Sequence, residues 1–323
     1  MYNLLSTVVS KNIALRSFLY NFLLSNHRKS NSKLWKKSWK QAILKNNNKP
    51  VNTRLHGYKA VVNSGFAYPL ITRSHPHFNN PLVELVHQVH KVKGVPVTLI
   101  DIGAAVGDTV FLLESNLKGA FNKIVCIDGD DEFFDYLEQN MKQFDFVKTV
   151  HVMLSDKEQD EKSLVRIHAG TASAQGEKLV MAKTLDRVVQ ENNLDAVDIL
   201  KIDTDGFDGK VLRGASNFLK TQQPSVIFEW HPILIKKTGN TIEEAFQVLT
   251  DCGYSNFVFF TKFGNFNHYM SGVNSTELEM LAQVCLNNKF VSDCHYDVVA
   301  TGGPIDIIAL AECSFAKQKT SAY

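Results

Sequence analysis

The stretch Leu99–Thr109, LIDIGAAVGDT, decides how this 323-residue chain folds. Val97–Ile102 is a short apolar run that stops at a glycine, which reads as a buried strand, and Thr109–Leu117 has the pattern of a helix. From there strands and helices alternate. Ile124–Ile127, Thr149–Leu154, Ile199–Ile202 and Val226–Phe228 read as strands. Glu132–Phe144, Thr184–Asn192, Lys210–Lys220 and Thr241–Cys252 read as helices, with Thr241 as a cap. Phe257–Thr261 and Ile305–Ala311 are two late strands, with a helix near Thr276–Leu286 between them. Such alternation demands a mostly parallel sheet covered on both faces. The last strand has little helix directly before it, so an antiparallel closing strand is expected.

Ligands of open α/β sheets lie outside the carboxyl ends of the strands. Those ends are rich in acids here. The first supplies Asp101, Gly103, Ala104, Gly107, Asp108 and Thr109; the second Asp128 and Gly129; the third Ser155 and Asp156. Gly103 permits a tight turn and Gly107 opens the next helix. Asp128 lies 21 residues past Gly107, where a carboxylate takes both hydroxyls of a ribose. Asp156 is placed to accept from an adenine amino group.

The first loop separates two nucleotide readings. A nicotinamide site wants GxGxxG, so that the pyrophosphate approaches the second glycine. Here Ala105 fills that place, the spacing is DxGxxxG, and Asp108 sits at the helix start, where a phosphate would be repelled. A phosphate-free cation suits the acid-lined mouth better. S-adenosylmethionine, with its sulfonium, amino group, ribose and adenine, is therefore the expected cofactor. An NAD-dependent oxidoreductase and a non-catalytic S-adenosylmethionine-binding protein are the alternatives.

The segments DIGAAVGDT, KIDTDGFDGKVLRGA and PSVIFEWHP resemble the S-adenosylmethionine-dependent methyltransferases of the FkbM family. The resemblance is good over about Leu99–Phe260. It implies a Rossmann-like class I methyltransferase fold, with a seven-stranded, mostly parallel sheet and an antiparallel last strand. It also implies O-methylation of a sugar or related hydroxyl. Two positions depart from the family: Ala105 stands where Asn is frequent, and Asp205 where Glu is frequent.

A hydroxyl acceptor has to lose a proton, and a carboxylate or neutral histidine beside it can take it. Asp203 and Asp205 at the fourth strand end, and Glu229 and His231 at the fifth, are the candidates, with Asp203 placed first and His231 second. No metal is expected. His87 and His90, three apart on a helix, lack a third ligand with suitable spacing.

Composition bounds the rest. The chain is 44% apolar and 21% charged, which is globular. Five cysteines without CxxC spacing argue against a disulfide framework and for a cytoplasmic protein. Charge is distributed unevenly: Met1–Val83 holds 13 Lys and Arg and no acid, whereas the remainder holds 22 bases against 33 acids. Residues 1–50 read as a basic helical extension, 51–95 as a lead-in segment and 96–323 as the methyltransferase domain. Leu4, Leu5, Val8, Leu15, Phe18, Leu19 and Phe22 share one helical stripe, expected to pack on the body or on a second subunit; Asn46–Pro50 reads as a break. Expected partners are a small-molecule or glycan acceptor and, through the basic head, an anionic membrane surface. No nucleic-acid motif accompanies the basic segment, so no nucleic-acid partner is expected.

Overall fold

Among the described residues, the computed structural model has, in chain order, helices α1 (Ile13–Ser25) and α2 (Lys33–Lys45), followed by a hairpin of β1 (Pro50–Leu55) and β2 (Tyr58–Asn63). Next come α3 (Tyr68–Ser74), α4 (Asn80–Lys93), β3 (Val97–Ile102), α5 (Asp108–Asn116), β4 (Phe121–Asp128), α6 (Asp131–Met141) and β5 (Val147–His151). Two small antiparallel sheets pair β6 (Gln159–Lys162) with β9 (Leu179–Ala182), and β7 (Val165–His168) with β8 (Thr171–Ser173). The chain continues through α7 (Leu185–Glu191), β10 (Ile199–Ile202), α8 (Asp208–Arg213), α9 (Ser216–Gln222), β11 (Ser225–Trp230), α10 (Pro232–Thr238) and α11 (Glu244–Asp251). The last described elements are β12 (Asn256–Thr261), β13 (Phe266–Ser271), α12 (Ser275–Leu286), β14 (Tyr296–Thr301) and α13 (Ile307–Glu312). The structure describes residues 11–45, 49–75, 77–162, 164–168, 171–173, 176–288, 294–303 and 305–313.

Among the described residues the main sheet has eight strands in the order β13-β12-β14-β11-β10-β3-β4-β5. The block β5-β4-β3-β10-β11 is parallel throughout. Strand β14 enters antiparallel between β11 and β12. The expected seven strands of a class I methyltransferase sheet are therefore present, and β13 adds an eighth by pairing antiparallel with β12. Alternate residues feed opposite layers, as the two-residue strand repeat requires. Leu99 and Ile124 join the core that holds α4, α5 and the β1–β2 hairpin, while Ile100 and Val125 join the core under α7, α9 and α11.

Several boundaries differ from the sequence expectation, three of them for a tertiary or capping reason. The closing strand is β14, not Ile305–Ala311; that segment is α13, whose Asp306 side chain caps the helix by accepting from Ala309 N–H. The expected helix Lys210–Lys220 is two helices. A Cβ on Gly214 would stand 2.2 Å from the Ser155 carbonyl oxygen, and the Asp186 carboxylate accepts from Asn217 and Phe218 N–H to start α9 afresh. Helix α11 starts three residues later than expected, because the Ile242 carbonyl accepts from the Trp230 indole. Strand β5 stops at His151, before the expected Leu154.

The basic head is tied to the body. Arg16 donates to the Pro50 carbonyl at 3.0 Å, Asn52 N–H to the Ser17 hydroxyl at 2.8 Å, and Thr53 to Asn21 at 2.7 Å. Tyr20 and Leu24 belong to the same core as Val51 and Phe111. Leu4, Leu5 and Val8 of the predicted stripe, and positions 46–48 of the predicted break, lie outside the described residues.

Strands β3 and β10 meet where the strand order reverses, and Asp101 and Lys201 are register partners there. Lys201 Nζ lies 2.9 Å from Asp101 Oδ1, and Asp101 is fully buried. Removing the cation strands a buried carboxylate. Lys201→Met should therefore destabilise the chain by about 3–5 kcal/mol, measured by urea denaturation at neutral pH.

Candidate active site

Gly103 leaves β3 with a φ of 72°, and a Cβ there would lie 1.8 Å from the Asp203 carbonyl oxygen. Only glycine lets the ends of β3 and β10 close on each other this far. The loop is then fastened to β4: Gly103 and Ala104 N–H both donate to the Ile127 carbonyl, at 2.9 and 3.2 Å. Ala105 takes a left-handed backbone, φ 46°, a conformation that Asn tolerates better than Ala. This bend aims Ala105 N–H at Asp128 Oδ2, 2.7 Å away, while Asp130 N–H donates to Asp128 Oδ1 at 2.9 Å. Asp128 is thus held rigidly by backbone donors.

A cavity of about 670 Å³ opens along these strand ends. That volume is in the range of small-molecule and cofactor sites. One half is walled by Gly103, Asp108, Asp128, Gly129, Phe133 and Met153. The other half collects Asp203, Asp205, Glu229, His231, His295 and Asp297. Lys201 lies between the two halves, with Nζ 3.6 Å from Asp203 Oδ2. Among the described residues no group of three or more His, Cys, Asp or Glu is arranged to hold a metal ion.

The acids shift one another. Burial pushes the Asp128 carboxyl up to about 7, against the pull of its two backbone donors. Burial also raises Asp108 to about 7, with Lys201 opposing and Asp101 reinforcing the rise. Asp297 reaches about 7 through burial and the neighbouring Asp203. Glu229 goes well above the usual carboxylate range, first through burial and then through Asp203, Asp205, Asp208 and Asp297. Its Oε1 lies 3.4 Å from His295 Nε2, and its Oε2 has no hydrogen-bond partner among the described residues. Lys201 goes the other way. Burial alone would lower its ammonium, but Asp101, Asp203 and Asp108 outweigh that and hold it charged.

His231 caps α10. Its Nδ1 accepts from Leu234 N–H at 3.4 Å, and its ring centre is 5.0 Å from that of His295. An imidazole accepting through Nδ1 carries its proton on Nε2, so it meets other groups as a donor.

Six of the ten residues expected around the cofactor are less exposed to the cavity or absent from its walls. Asp101, Ala104 and Gly107 lie behind the loop: Asp101 on Lys201, Ala104 buried, and Gly107 close against Met141, whose Cε a Cβ would approach to 2.3 Å. Thr109 contributes to the wall although it is almost fully buried. Ser155 and Asp156 face away. Ser155 donates to Glu161 at 3.0 Å and Asp156 pairs with Arg213 at 3.2 Å, in a network that also joins Lys210 to Glu161 and Arg213 to Glu244. Burial would raise Asp156, but Arg213 draws it below its usual value. Val152, Met153 and Leu154 stand in the wall at that strand end instead. Lys201, His295 and Asp297 are wall residues that the sequence reading passed over. A lysine inside the apolar strand Ile199–Ile202 was the available signal, since a buried lysine needs a partner.

These residues fit S-adenosylmethionine. Each Asp128 oxygen spends one acceptor site on the backbone and keeps capacity for a ribose hydroxyl. Crowded carboxylates also gain from a cationic ligand, and this one brings a sulfonium and an ammonium. A pyrophosphate would meet Asp108 at the start of α5.

Residues 101–255 match the sequence model of the methyltransferase FkbM domain. No curated protein matches the chain in sequence. Among solved structures, methyltransferase FkbM from Methylobacillus flagellatus KT is 16% identical, with 42% of this chain and 33% of that chain covered and a TM-score of 0.33. The chain thus spans about a third of the length of that protein. Precorrin-6y C5,15-methyltransferase from Geobacter metallireducens GS-15 is 12% identical over 64% of this chain and 80% of that chain, with a TM-score of 0.34. N-methyltransferase NodS from Bradyrhizobium japonicum WM9, in complex with S-adenosyl-L-homocysteine, is 10% identical over 73% and 92%, with a TM-score of 0.37.

Asp128→Ala should weaken S-adenosylmethionine binding roughly tenfold or more in calorimetry, because charge-assisted ribose contacts are lost from a chain that still folds. Acidification should act similarly. Asp108 and Asp128 take up protons as the pH falls through about 7, so affinity should drop roughly tenfold per group between pH ~8 and ~6. Stability of the unliganded chain should move the opposite way. Between about pH 4 and 7 the folded state holds protons that the unfolded state has released, so Tm should be higher at pH ~6 than at pH ~8.

Proposed function

We propose, from the premise that residues 101–255 are an S-adenosylmethionine-dependent methyltransferase domain of the FkbM family, that the chain methylates a hydroxyl of a saccharide or glycan precursor. The observation that carries this reading is the state of the acceptor half of the cavity. Of its four candidate bases, Asp203 is the most exposed at the cavity, whereas Asp205 is half-buried on a left-handed backbone. Burial and the surrounding acids raise the Glu229 carboxyl well above its usual range, which makes it a poorer proton acceptor at the acceptor's hydroxyl, and His231 commits Nδ1 to capping α10. The Asp203 side chain is 49% exposed at the cavity wall, beside the Lys201 ammonium.

S-adenosylmethionine supplies a methyl group on a sulfonium, a good leaving group, so placing the acceptor in line can provide much of the rate. Asp128 holds the ribose, and Asp108 faces the cationic part of the cofactor. Asp203 takes the proton that the acceptor hydroxyl loses as its oxygen forms the bond to the methyl carbon. The Nε2–H of His231 donates to a neighbouring hydroxyl oxygen, and the raised Glu229 carboxyl favours the protonated form that would do the same. A polyhydroxylated acceptor suits such a wall, because each sugar hydroxyl both donates and accepts.

Saccharides and glycans from cells with and without the chain should differ by one methylene unit in mass spectrometry. An unchanged glycan pool beside a methylated amine or carboxylate elsewhere would overturn the hydroxyl assignment. With the acceptor in hand, Asp203→Asn should lower turnover roughly 10²–10⁴-fold at saturating substrates while cofactor affinity holds. Retained turnover would leave positioning, without a base, as the mechanism.

A further inference from the structure

The helix α1 buries the wrong face for an ordinary surface helix. Arg16, Ser17, Tyr20, Leu23 and Leu24 turn inward. Of the apolar stripe expected to pack on the body, Leu19 is half-buried against Leu23 and Trp35, but Leu15, Phe18 and Phe22 face outward, 42%, 71% and 56% exposed. Together with Lys11 these residues recur at steps of four, three and four, so they form one continuous outer face. Phe18 and Phe22 stack on each other, with ring centres 6.4 Å apart, rather than on the rest of the protein.

Cations flank this face, with no acid between them in sequence. Between Lys11 and Lys45 the sequence has nine Lys and Arg and no acid. Arg28 and Lys29 follow α1 and are exposed, as are Lys33, Lys36, Lys37 and Lys40 on α2, where Leu34 is also 77% exposed. The two tryptophans of α2 offer nothing to an outside ligand. Trp35 donates its indole N–H to the Leu23 carbonyl at 2.9 Å, and Trp39 packs between Trp35 and Tyr20. They lock α2 onto α1 and leave the cations outside. Among the described residues no helix is long and apolar enough to cross a membrane.

We propose that the outer face of α1, flanked by the basic residues of α2, docks on a bilayer surface containing anionic lipid. Phe18, Phe22 and Leu15 enter the boundary between headgroups and acyl chains, and the cations meet lipid phosphates and carboxylates. Charge complementarity selects this occupant over a second copy of the same face. A two-fold contact would bring two acid-free clusters together and repel. The inference stands apart from the methyl-transfer reading, since it uses no residue of the cavity.

The test is flotation of the full chain with vesicles of phosphatidylcholine alone, or with phosphatidylserine as about a third of the lipid. The chain should float with the anionic vesicles roughly tenfold more than with the neutral ones, and raising salt from about 0.05 to about 0.5 M should release it. Phe18→Gln with Phe22→Gln should reduce flotation roughly tenfold while the circular dichroism spectrum and Tm are kept, because both side chains are already in water. No flotation with anionic vesicles at low salt would overturn the proposal. So would equal flotation of parent and double variant. Self-association in sedimentation velocity that the double variant abolishes, without vesicle binding, would make the face an interface between copies instead.

Discussion

The Lys201–Asp101 ion pair is the interaction on which the cavity depends. It joins the two strands at which the sheet reverses its order, and it lies directly beneath the loop Gly103–Gly107. Asp101 is fully enclosed, so its charge has no solvent to fall back on. The same ammonium reaches toward Asp203 and lies close enough to hold down Asp108. Without it, three carboxylates would crowd one strand crossing. The pair therefore does more than close a register: it sets the charge against which the rest of the acid-lined space is balanced.

That balance explains why the cavity separates into two chemistries. Around Asp128 the backbone does the organising, through N–H groups of Ala105 and Asp130 that fix the carboxylate in place. Around Glu229 the side chains act on one another. Asp203, Asp205, Asp208 and Asp297 all raise it, with burial as the larger cause. Neighbouring carboxyls pushed apart in protonation can serve different roles, one accepting a proton and another donating a hydrogen bond.

At the other end of the chain, α1 shows that amphipathic patterning says which residues share a face but not where the face points. The stripe Leu15, Phe18 and Phe22 is as periodic as a core stripe. It lies outside because Tyr20, Leu23 and Leu24, on the opposite side, fill the gap above β1 and against Trp35. Arg16 and Ser17 add hydrogen bonds to Pro50 and Asn52 that Leu15 and Phe18 lack the atoms to make.

Much of the fold was legible in the sequence. The alternation of apolar strands with helical segments, the glycine at the end of β3 and the acids at successive strand ends are local features, and local sterics and burial fix them. The placement of Asp128, Asp203, Glu229 and His231 around one cavity follows from that order. Partners distant in sequence were not legible. The sequence placed the closing strand at Ile305–Ala311, whereas Asp306 caps a helix there and β14 brings His295 and Asp297 to the cavity. It gave Ser155 and Asp156 to the cofactor, whereas Glu161 and Arg213, 6 and 57 residues away, engage them elsewhere. Periodicity reports which side of an element is apolar. Only the packed structure decides which charge stands opposite which, because electrostatic pairing depends on distances that the chain sets between residues it keeps far apart.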